Sequence, residues 1–194
     1  MAEETGLPKL VSLACHDLRT PLATIFGFAR TMTRSEGLAP PFVQYSEMIE
    51  AASDQLGELI DELSLAARIV GGRYDPKLES VSVGELASAA VERLGAERVS
   101  VSGSGGAVTV DVEAAKRSVS ALVQCALRHG GLEHVGVVAD GPELRVAPIT
   151  ASSAPVVLGE DLRDLGAAVA VMHVDHLGGS VTVDGDVLTI RLPA

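Results

Sequence analysis

What the chain lacks excludes several classes of protein. It has no tryptophan and only 3% aromatic residues, so aliphatic side chains and alanine must build its core. Its two cysteines, Cys15 and Cys125, fall in predicted helices without metal-ligand spacing, and we expect both thiols to be reduced and half-buried. No apolar run approaches the ~20 residues of a membrane span, and no basic-then-apolar signal opens the chain. We therefore expect a soluble, cytoplasmic protein with no membrane partner.

The chain also lacks the positive charge that nucleic-acid binding requires. Its formal net charge of -11 argues against a nucleic-acid partner, because clustered Lys and Arg bind phosphate backbones. Residues 8–34 are an exception, since four basic residues there oppose Asp17 alone, whereas residues 41–70 are strongly acidic. This contrast either attracts an acidic phosphorylated partner or pairs the two segments with each other, and the sequence leaves both open.

Apolar residues at helical spacing dominate the first 72 positions. They predict one helix over about residues 8–34 and a second that ends at Val70, before Gly71 and Gly72. The predicted seam of the first helix consists of Val11, Cys15, Leu18, Leu22, Ile25, Ala29 and Met32. A helical hairpin follows, and its apolar surface is too wide for one partner helix. We therefore expect residues 1–72 to form a homodimer through a four-helix bundle.

After Leu78 the pattern changes to short β-branched runs that alternate with helices. Strands are predicted at 81–83, 99–101, 108–110, 135–138, 144–146, 181–183 and 187–192, and helices at 84–94, 112–129 and 164–176. Asp111 is a suitable N-cap for the second of these helices. The expected fold of residues 73–194 is an α/β sandwich, with a mixed sheet backed by helices.

The hexapeptide from His16 to Pro21, His-Asp-Leu-Arg-Thr-Pro, carries the most chemical information. At about 100° per residue, His16 lies roughly 200° from Leu18 and so points away from the apolar seam. A histidine can carry a phosphoryl group if one ring nitrogen faces solvent and an acceptor holds the other. Asp17 can supply that acceptor, so the pattern predicts a phosphate-accepting histidine.

The block from Cys15 to Leu22 resembles the H-box of two-component sensor histidine kinases and related histidine phosphotransferases. The resemblance implies that His16 is the nucleophile and phosphoryl carrier and that receiver domains of response regulators are the partners. Asp17 either orients the His16 ring or raises its nucleophilicity, and the alternative is that it is a solvated surface residue. Thr20 either positions a water for dephosphorylation of the partner or is a tolerated polar residue. Arg19 either steers phosphate or pairs with an acidic residue of the second helix.

Small residues continue the face of the first helix that carries His16. The stripe consists of Thr20, Ala23, Gly27, Thr31 and Arg34. Small side chains let another helix approach closely, so we interpret this stripe as the surface that docks the receiver domain. The alternative is that it only reflects an Ala- and Gly-rich composition.

The second half is similar to the ATP-binding domain of histidine kinases and gyrase-type ATPases, but three of that family's features are eroded. Cys125 stands where the family has an Asn that helps hold magnesium and phosphates. Residues 147–153 contain neither the carboxylate nor the glycines that receive adenine, and the Gly-rich loop is reduced to residues 164–168. His173 and His176 show no third ligand. We therefore expect no ATP cofactor and no metal.

The sequence as a whole predicts a histidine phosphotransfer protein of a phosphorelay, a phosphotransferase whose domain at 73–194 is a degenerate ATPase. Because His16 lies close to Met1, we also expect no sensor domain ahead of it. Two alternatives stay open. The chain is then either a sensor kinase core that autophosphorylates His16 through a divergent pocket, or a non-catalytic dimeric scaffold.

Overall fold

Two units make up the chain, Met1–Arg73 and Tyr74–Ala194. A computed structural model describes residues 6–35 and 37–193. The first unit is a helical hairpin of α1 (Gly6–Thr33) and α2 (Pro40–Val70). Pro40 and Pro41 begin α2, where the missing backbone N–H groups would have no helical acceptor, and Gly71 caps its end.

Small side chains fill the contact between the two helices of the hairpin. Cys15 and Ala29 of α1 are buried, as are Ser46 and Ser53 of α2. Both serine hydroxyls donate to a backbone carbonyl four residues earlier in α2, at 2.8 and 2.7 Å. Their polar groups are therefore satisfied although they lie between the helices.

The apolar seam predicted for α1 does not behave as one surface. Cys15 and Ala29 face α2, whereas Leu18, Ile25 and Met32 are exposed in the single chain. The prediction placed all apolar residues of α1 that are spaced three or four positions apart on one stripe. Such a stripe is wider than the line of contact with one helix, so part of it lies outside the hairpin.

The second unit alternates strands and helices. Its elements are β1 (Leu78–Ser82), α3 (Val83–Leu94), β2 (Val99–Ser102), β3 (Ala107–Asp111), α4 (Val112–Gly130), β4 (Val135–Asp140), β5 (Glu143–Ala147), α5 (Ala154–Val157), α6 (Leu165–His176), β6 (Ser180–Asp184) and β7 (Val187–Arg191). The predicted fold class, a helical hairpin followed by an α/β unit, is confirmed. The short helix α5 was missed, because a Ser-, Ala- and Pro-rich segment indicates a loop.

The strands form a mixed five-stranded sheet in the order β2-β4-β5-β7-β6, and β1 and β3 form a separate antiparallel pair. Among the strands of residues 37–193, only β2 and β4 pair in parallel. Alternate residues of the central strands point into the core, among them Val137, Leu144 and Ile190. Helices α3, α4 and α6 supply the other half of that core. This is the mixed sheet backed by helices that the sequence predicts.

A polar network is buried inside the second unit. The Tyr74 hydroxyl donates to Asp111 Oδ2 at 3.0 Å and lies 3.0 Å from His173 Nε2, while His173 Nδ1 lies 2.9 Å from the Ser118 hydroxyl. His173 is fully buried. Asp111 also caps α4 by accepting from the Ala114 backbone N–H. The network thus ties the start of α4 to α6.

Among the helices of residues 6–35 and 37–193, none combines the length and the apolar character that a membrane span requires.

Candidate functional site

His16 lies on the solvent side of α1, where its side chain is 79% exposed. Its Nδ1 lies 3.1 Å from Asp17 Oδ1, so a hydrogen on Nδ1 points at the carboxylate. Fixing the proton on Nδ1 leaves the Nε2 lone pair facing solvent, where it can attack an electrophilic phosphorus. The predicted nucleophile, His16, and its predicted hydrogen-bond acceptor, Asp17, are therefore in contact in the structure.

Arg19 connects the two helices of the hairpin. Its Nη2 donates to Asp61 Oδ1 of α2 at 2.8 Å. Of the two roles that the sequence leaves open for Arg19, this contact is the pairing with an acidic residue of the second helix. The motif in the first helix does not by itself identify Asp61 as that residue. Because both side chains are about half exposed, the pair contributes little stability, and it mainly fixes where the guanidinium lies.

The small-residue stripe has a continuous exposed path below His16. Thr20, Gly27, Thr31 and Arg34 are exposed, and the Thr31 hydroxyl donates to the Gly27 carbonyl at 2.7 Å. Ala23 lines a groove between α1 and α2, whose other lining residues are Arg19, Leu22, Phe26, Ser53, Asp54, Gly57 and Asp61. A side chain added at Gly27 would meet no atom within 4 Å. The stripe is therefore accessible, as docking requires.

In the α/β unit, Cys125 lies buried on α4 at the position that the sequence analysis compared with a magnesium-binding Asn. Burial, and then the negative charge of Asp164, raise the pKa of its thiol to about 12. A protonated, buried thiol offers nothing to a hard Mg²⁺ ion, which prefers oxygen ligands. His129, one helical turn further along α4, places Nε2 3.2 Å from Asp164 Oδ2.

The segment after β5 closes on itself. The Thr150 backbone N–H donates to the Ser153 hydroxyl at 3.1 Å, and the Ser152 hydroxyl donates to the His129 carbonyl at 3.0 Å. Val156 and Val157 of α5 then enter the core fully buried. The hydroxyl groups of this segment hydrogen-bond within the turn and to the end of α4. In the ATP-binding family, the corresponding segment presents a carboxylate and glycines.

Comparison with known families assigns the first unit. Residues 9–72 match the His Kinase A (phospho-acceptor) domain family. The helical hairpin is therefore similar to a phospho-acceptor domain of this family. The match includes His16 and spans both helices, although it does not extend into the α/β unit.

Two curated relatives of this chain are sensor proteins. The chain is 31% identical over 94 residues to the sensor protein DivL of Caulobacter vibrioides, which is 48% of this chain and 12% of DivL. It is 33% identical over 84 residues to the sensor histidine kinase TrcS of Mycobacterium tuberculosis, or 43% of this chain and 16% of TrcS. The alignments thus span less than a fifth of the length of these relatives.

Solved structures share the fold of the helical hairpin and of the α/β unit. A crystal structure of full-length ShkA in complex with AMPPNP has a TM-score of 0.66 at 20% identity, covering 94% of this chain and 44% of that one. The Acinetobacter baumannii histidine kinase AdeS has a TM-score of 0.54 at 14% identity, covering 92% and 97%. These structures show the fold of the chain. The domain match and the two sensor-protein relatives agree with the likeness to two-component histidine kinases on which the H-box resemblance rests.

The phospho-acceptor motif, which lies in the part of the chain that matches the His Kinase A family, can be recognised from the sequence. The contacts between residues far apart in the chain cannot. Asp61 is 42 residues from Arg19, and only the hairpin brings them together. The sequence predicts no metal ligand, yet Cys125, His129 and Asp164 place their ligand atoms within 4.8 Å of one another. The spacing of Cys125 and His129 on one helix was a usable signal, whereas the distant Asp164 was not.

Proposed function

We propose that this chain is a histidine phosphotransfer protein, which carries a phosphoryl group at His16 between receiver domains of response regulators. The observation that carries the proposal is the exposed His16 with its Nδ1 held by Asp17. His16 Nε2 attacks the phosphorus of an aspartyl phosphate, the bond to the aspartate oxygen breaks, and that aspartate leaves as a carboxylate. The reverse step passes the group to a second receiver domain.

The α/β unit supports transfer without ATP. Three parts of the nucleotide site that the family resemblance implies are altered in this chain. Cys125 offers a buried thiol where Mg²⁺ needs oxygen, and the turn at residues 150–153 is bonded to itself and to α4. Seven residues, 158–164, connect α5 to α6, which leaves little chain for a lid over a nucleotide. The unit then serves to contact the receiver domain.

A kinase core is the second candidate function. It is favoured by the likeness in fold to ShkA, whose crystal structure contains AMPPNP, and by the 84-residue match to TrcS, which is a sensor histidine kinase. In that case ATP would reach His16 through a pocket with different ligands. A dimeric scaffold without chemistry is the third candidate, and it would make no use of His16.

One labelling experiment separates the carrier from the kinase. The protein is incubated with Mg²⁺ and γ-labelled ATP, and in parallel with receiver domains from its own organism that were labelled with acetyl phosphate. We expect acid-labile label on the protein only in the second reaction. Label from ATP would instead establish the kinase, and no label from either donor would leave the scaffold.

The proposed dimer is supported by apolar side chains that the hairpin leaves exposed. On α1 these include Ile25 and Phe28, which are 51% and 68% exposed, and on α2 they include Tyr45, Met48 and Leu56. Surface of this extent along both helices is typical of an interface. A second copy of the hairpin would cover it and complete a four-helix bundle.

Docking and dimerisation use different sides of α1, which yields a matched pair of variants. From the helical repeat, Gly27 and Ile25 point in directions about 160° apart. We expect Gly27→Arg to lower phosphoryl transfer from a receiver domain at least about 100-fold while the dimer persists, because the added side chain enters the docking stripe and not the hairpin core.

Ile25→Arg serves as the control for the docking variant. We expect it to shift the mass from dimer to monomer in light scattering, because a charge replaces an apolar residue at the proposed interface. Normal transfer by Gly27→Arg would show that the stripe does not dock the receiver domain. A monomeric Gly27→Arg protein would show that the two faces are not separate.

A further inference from the structure

Three potential metal ligands converge where α4 ends and α6 begins. Cys125 and His129 are four residues apart on α4 and therefore lie on the same side of that helix. Asp164 is the N-cap of α6, and its Oδ1 accepts from the Ala167 backbone N–H at 3.1 Å. One Sγ, one ring nitrogen and one carboxylate oxygen lie within 4.8 Å of one another.

We propose that Cys125, His129 and Asp164 bind a divalent transition metal of the zinc class, without a nucleotide. Ligand atoms that share one tetrahedral zinc ion lie about 3.3 to 3.6 Å apart, as its bond lengths require. His129 Nε2 and Asp164 Oδ2 are already 3.2 Å apart. The remaining separations need side-chain adjustments of roughly 1 Å, which the 4.8 Å limit allows.

The ligand set determines which metal fits. A thiolate and an imidazole suit zinc, cobalt and copper, whereas magnesium and calcium prefer oxygen alone. When the metal binds, the Cys125 thiol loses its proton to solvent, and the thiolate and the Asp164 carboxylate together neutralise a divalent charge. Three protein ligands leave a fourth position for water or another small ligand.

The surroundings of the cluster can accommodate a bound metal. Cys125 is fully buried, and the side chains of His129 and Asp164 are only 17% and 10% exposed, so the three ligand side chains are largely removed from bulk solvent. Arg128 Nη1 lies 3.5 Å from Asp164 Oδ2 but is 57% exposed, so it can turn to solvent when a metal takes that oxygen. The metal would link the last turn of α4 to the first turn of α6.

Cobalt titration tests the site directly. The full chain is freed of metal with a chelator under reducing conditions and titrated with Co²⁺. We expect one Co²⁺ per chain, a thiolate-to-cobalt band in the near ultraviolet and the intense visible bands of tetrahedral cobalt, all removed by Zn²⁺. Absence of a thiolate band in the wild-type protein would overturn the proposal, leaving a helix cap and its ion pairs.

Three variants identify the ligands, and one variant is the control. Cys125→Ser should lose the thiolate band, and His129→Gln and Asp164→Asn should each weaken Co²⁺ binding by at least about 10-fold. Asparagine caps helices as well as aspartate does, so the last variant removes a ligand and keeps the cap. Cys15→Ser, at the other buried cysteine, should bind Co²⁺ like the wild type.

The variants also show how the proposal fails. A thiolate band that survives in Cys125→Ser, or that disappears in Cys15→Ser, would place the metal elsewhere and overturn the assignment. If circular dichroism shows that Cys125→Ser does not fold, the other two variants decide. Unchanged Co²⁺ affinity in both His129→Gln and Asp164→Asn would then overturn it.

Discussion

Replacement of His16 by alanine is expected to reduce phosphoryl transfer to the background level, a loss of at least about 1000-fold. The side chain supplies the only nucleophilic atom in the proposed reaction, and no neighbour can substitute for an absent bond to phosphorus. Because His16 is 79% exposed, the substitution should change the free energy of unfolding by less than about 0.5 kcal/mol. The measurement is acid-labile label transferred from a labelled receiver domain.

Two further variants make the His16 result specific. His134→Ala removes another exposed histidine, in the α/β unit, and should transfer phosphoryl groups at the wild-type rate. Asp17→Asn keeps the nucleophile but weakens the hydrogen bond from His16 Nδ1, and we expect the rate of phosphoryl transfer to fall about 100-fold. If His16→Ala retained label, another residue would be the phosphoryl acceptor and the proposed function would be wrong.

The second large effect concerns the buried network around His173. The Tyr74 hydroxyl donates its single hydrogen to Asp111, so its oxygen accepts from His173 Nε2. His173 Nδ1 then accepts from the Ser118 hydroxyl. This arrangement satisfies every group with a neutral imidazole that carries its proton on Nε2. A second proton on Nδ1 would face the Ser118 oxygen and displace the hydrogen bond from that hydroxyl.

Acidification should therefore destabilise the α/β unit in a defined range of pH. Burial lowers the pKa of His173 from 6.5 to about 4, against the opposing effect of the Asp111 charge. A histidine whose pKa is lowered in the folded state contributes full stability above its unfolded pKa and loses it as pH falls through the folded value. At about 1.4 kcal/mol per pKa unit, we expect a loss of about 3 kcal/mol between pH 6.5 and 4.

Asp111 acts in a lower range, so the two groups can be distinguished. Burial raises the pKa of its carboxyl group, but hydrogen bonds from the Ala114 backbone, Tyr74 and the Lys77 backbone outweigh burial and lower it below 3.8. Its contribution is present above that value and is lost only as pH falls further. The change between pH 6.5 and 4 therefore reports on His173 and not on Asp111.

Urea unfolding at a series of pH values measures this effect. The wild-type protein is compared with His173→Gln, which keeps an amide in the network but cannot titrate. We expect the variant to be less stable at pH 7 and to show a flatter pH dependence, with the difference in slope confined to pH 4 to 6.5. An NMR titration midpoint near 6.5 for the His173 ring would contradict the argument.

Local patterns in the sequence were enough to predict most of the secondary structure. The repeat of apolar residues predicts α1 and α2, and Asp111 caps α4 as its position indicates. Both features depend on residues a few positions apart, where helical geometry fixes the neighbours. The short helix α5 escaped prediction because its stability comes from burying Val156 and Val157 in a core that other elements form.

The sequence by itself determined the phospho-acceptor motif, because His16 and Asp17 are adjacent and an exposed helix face needs no other element. Only the tertiary structure decided that Arg19 hydrogen-bonds to Asp61 and that the Tyr74 hydroxyl contacts His173, 99 positions away. The same is true of the contact between His129 and Asp164, which are 35 residues apart. Contacts of this kind depend on how helices and strands pack. That packing depends on the total free energy gained by burying side chains throughout the core. No local pattern specifies such a sum.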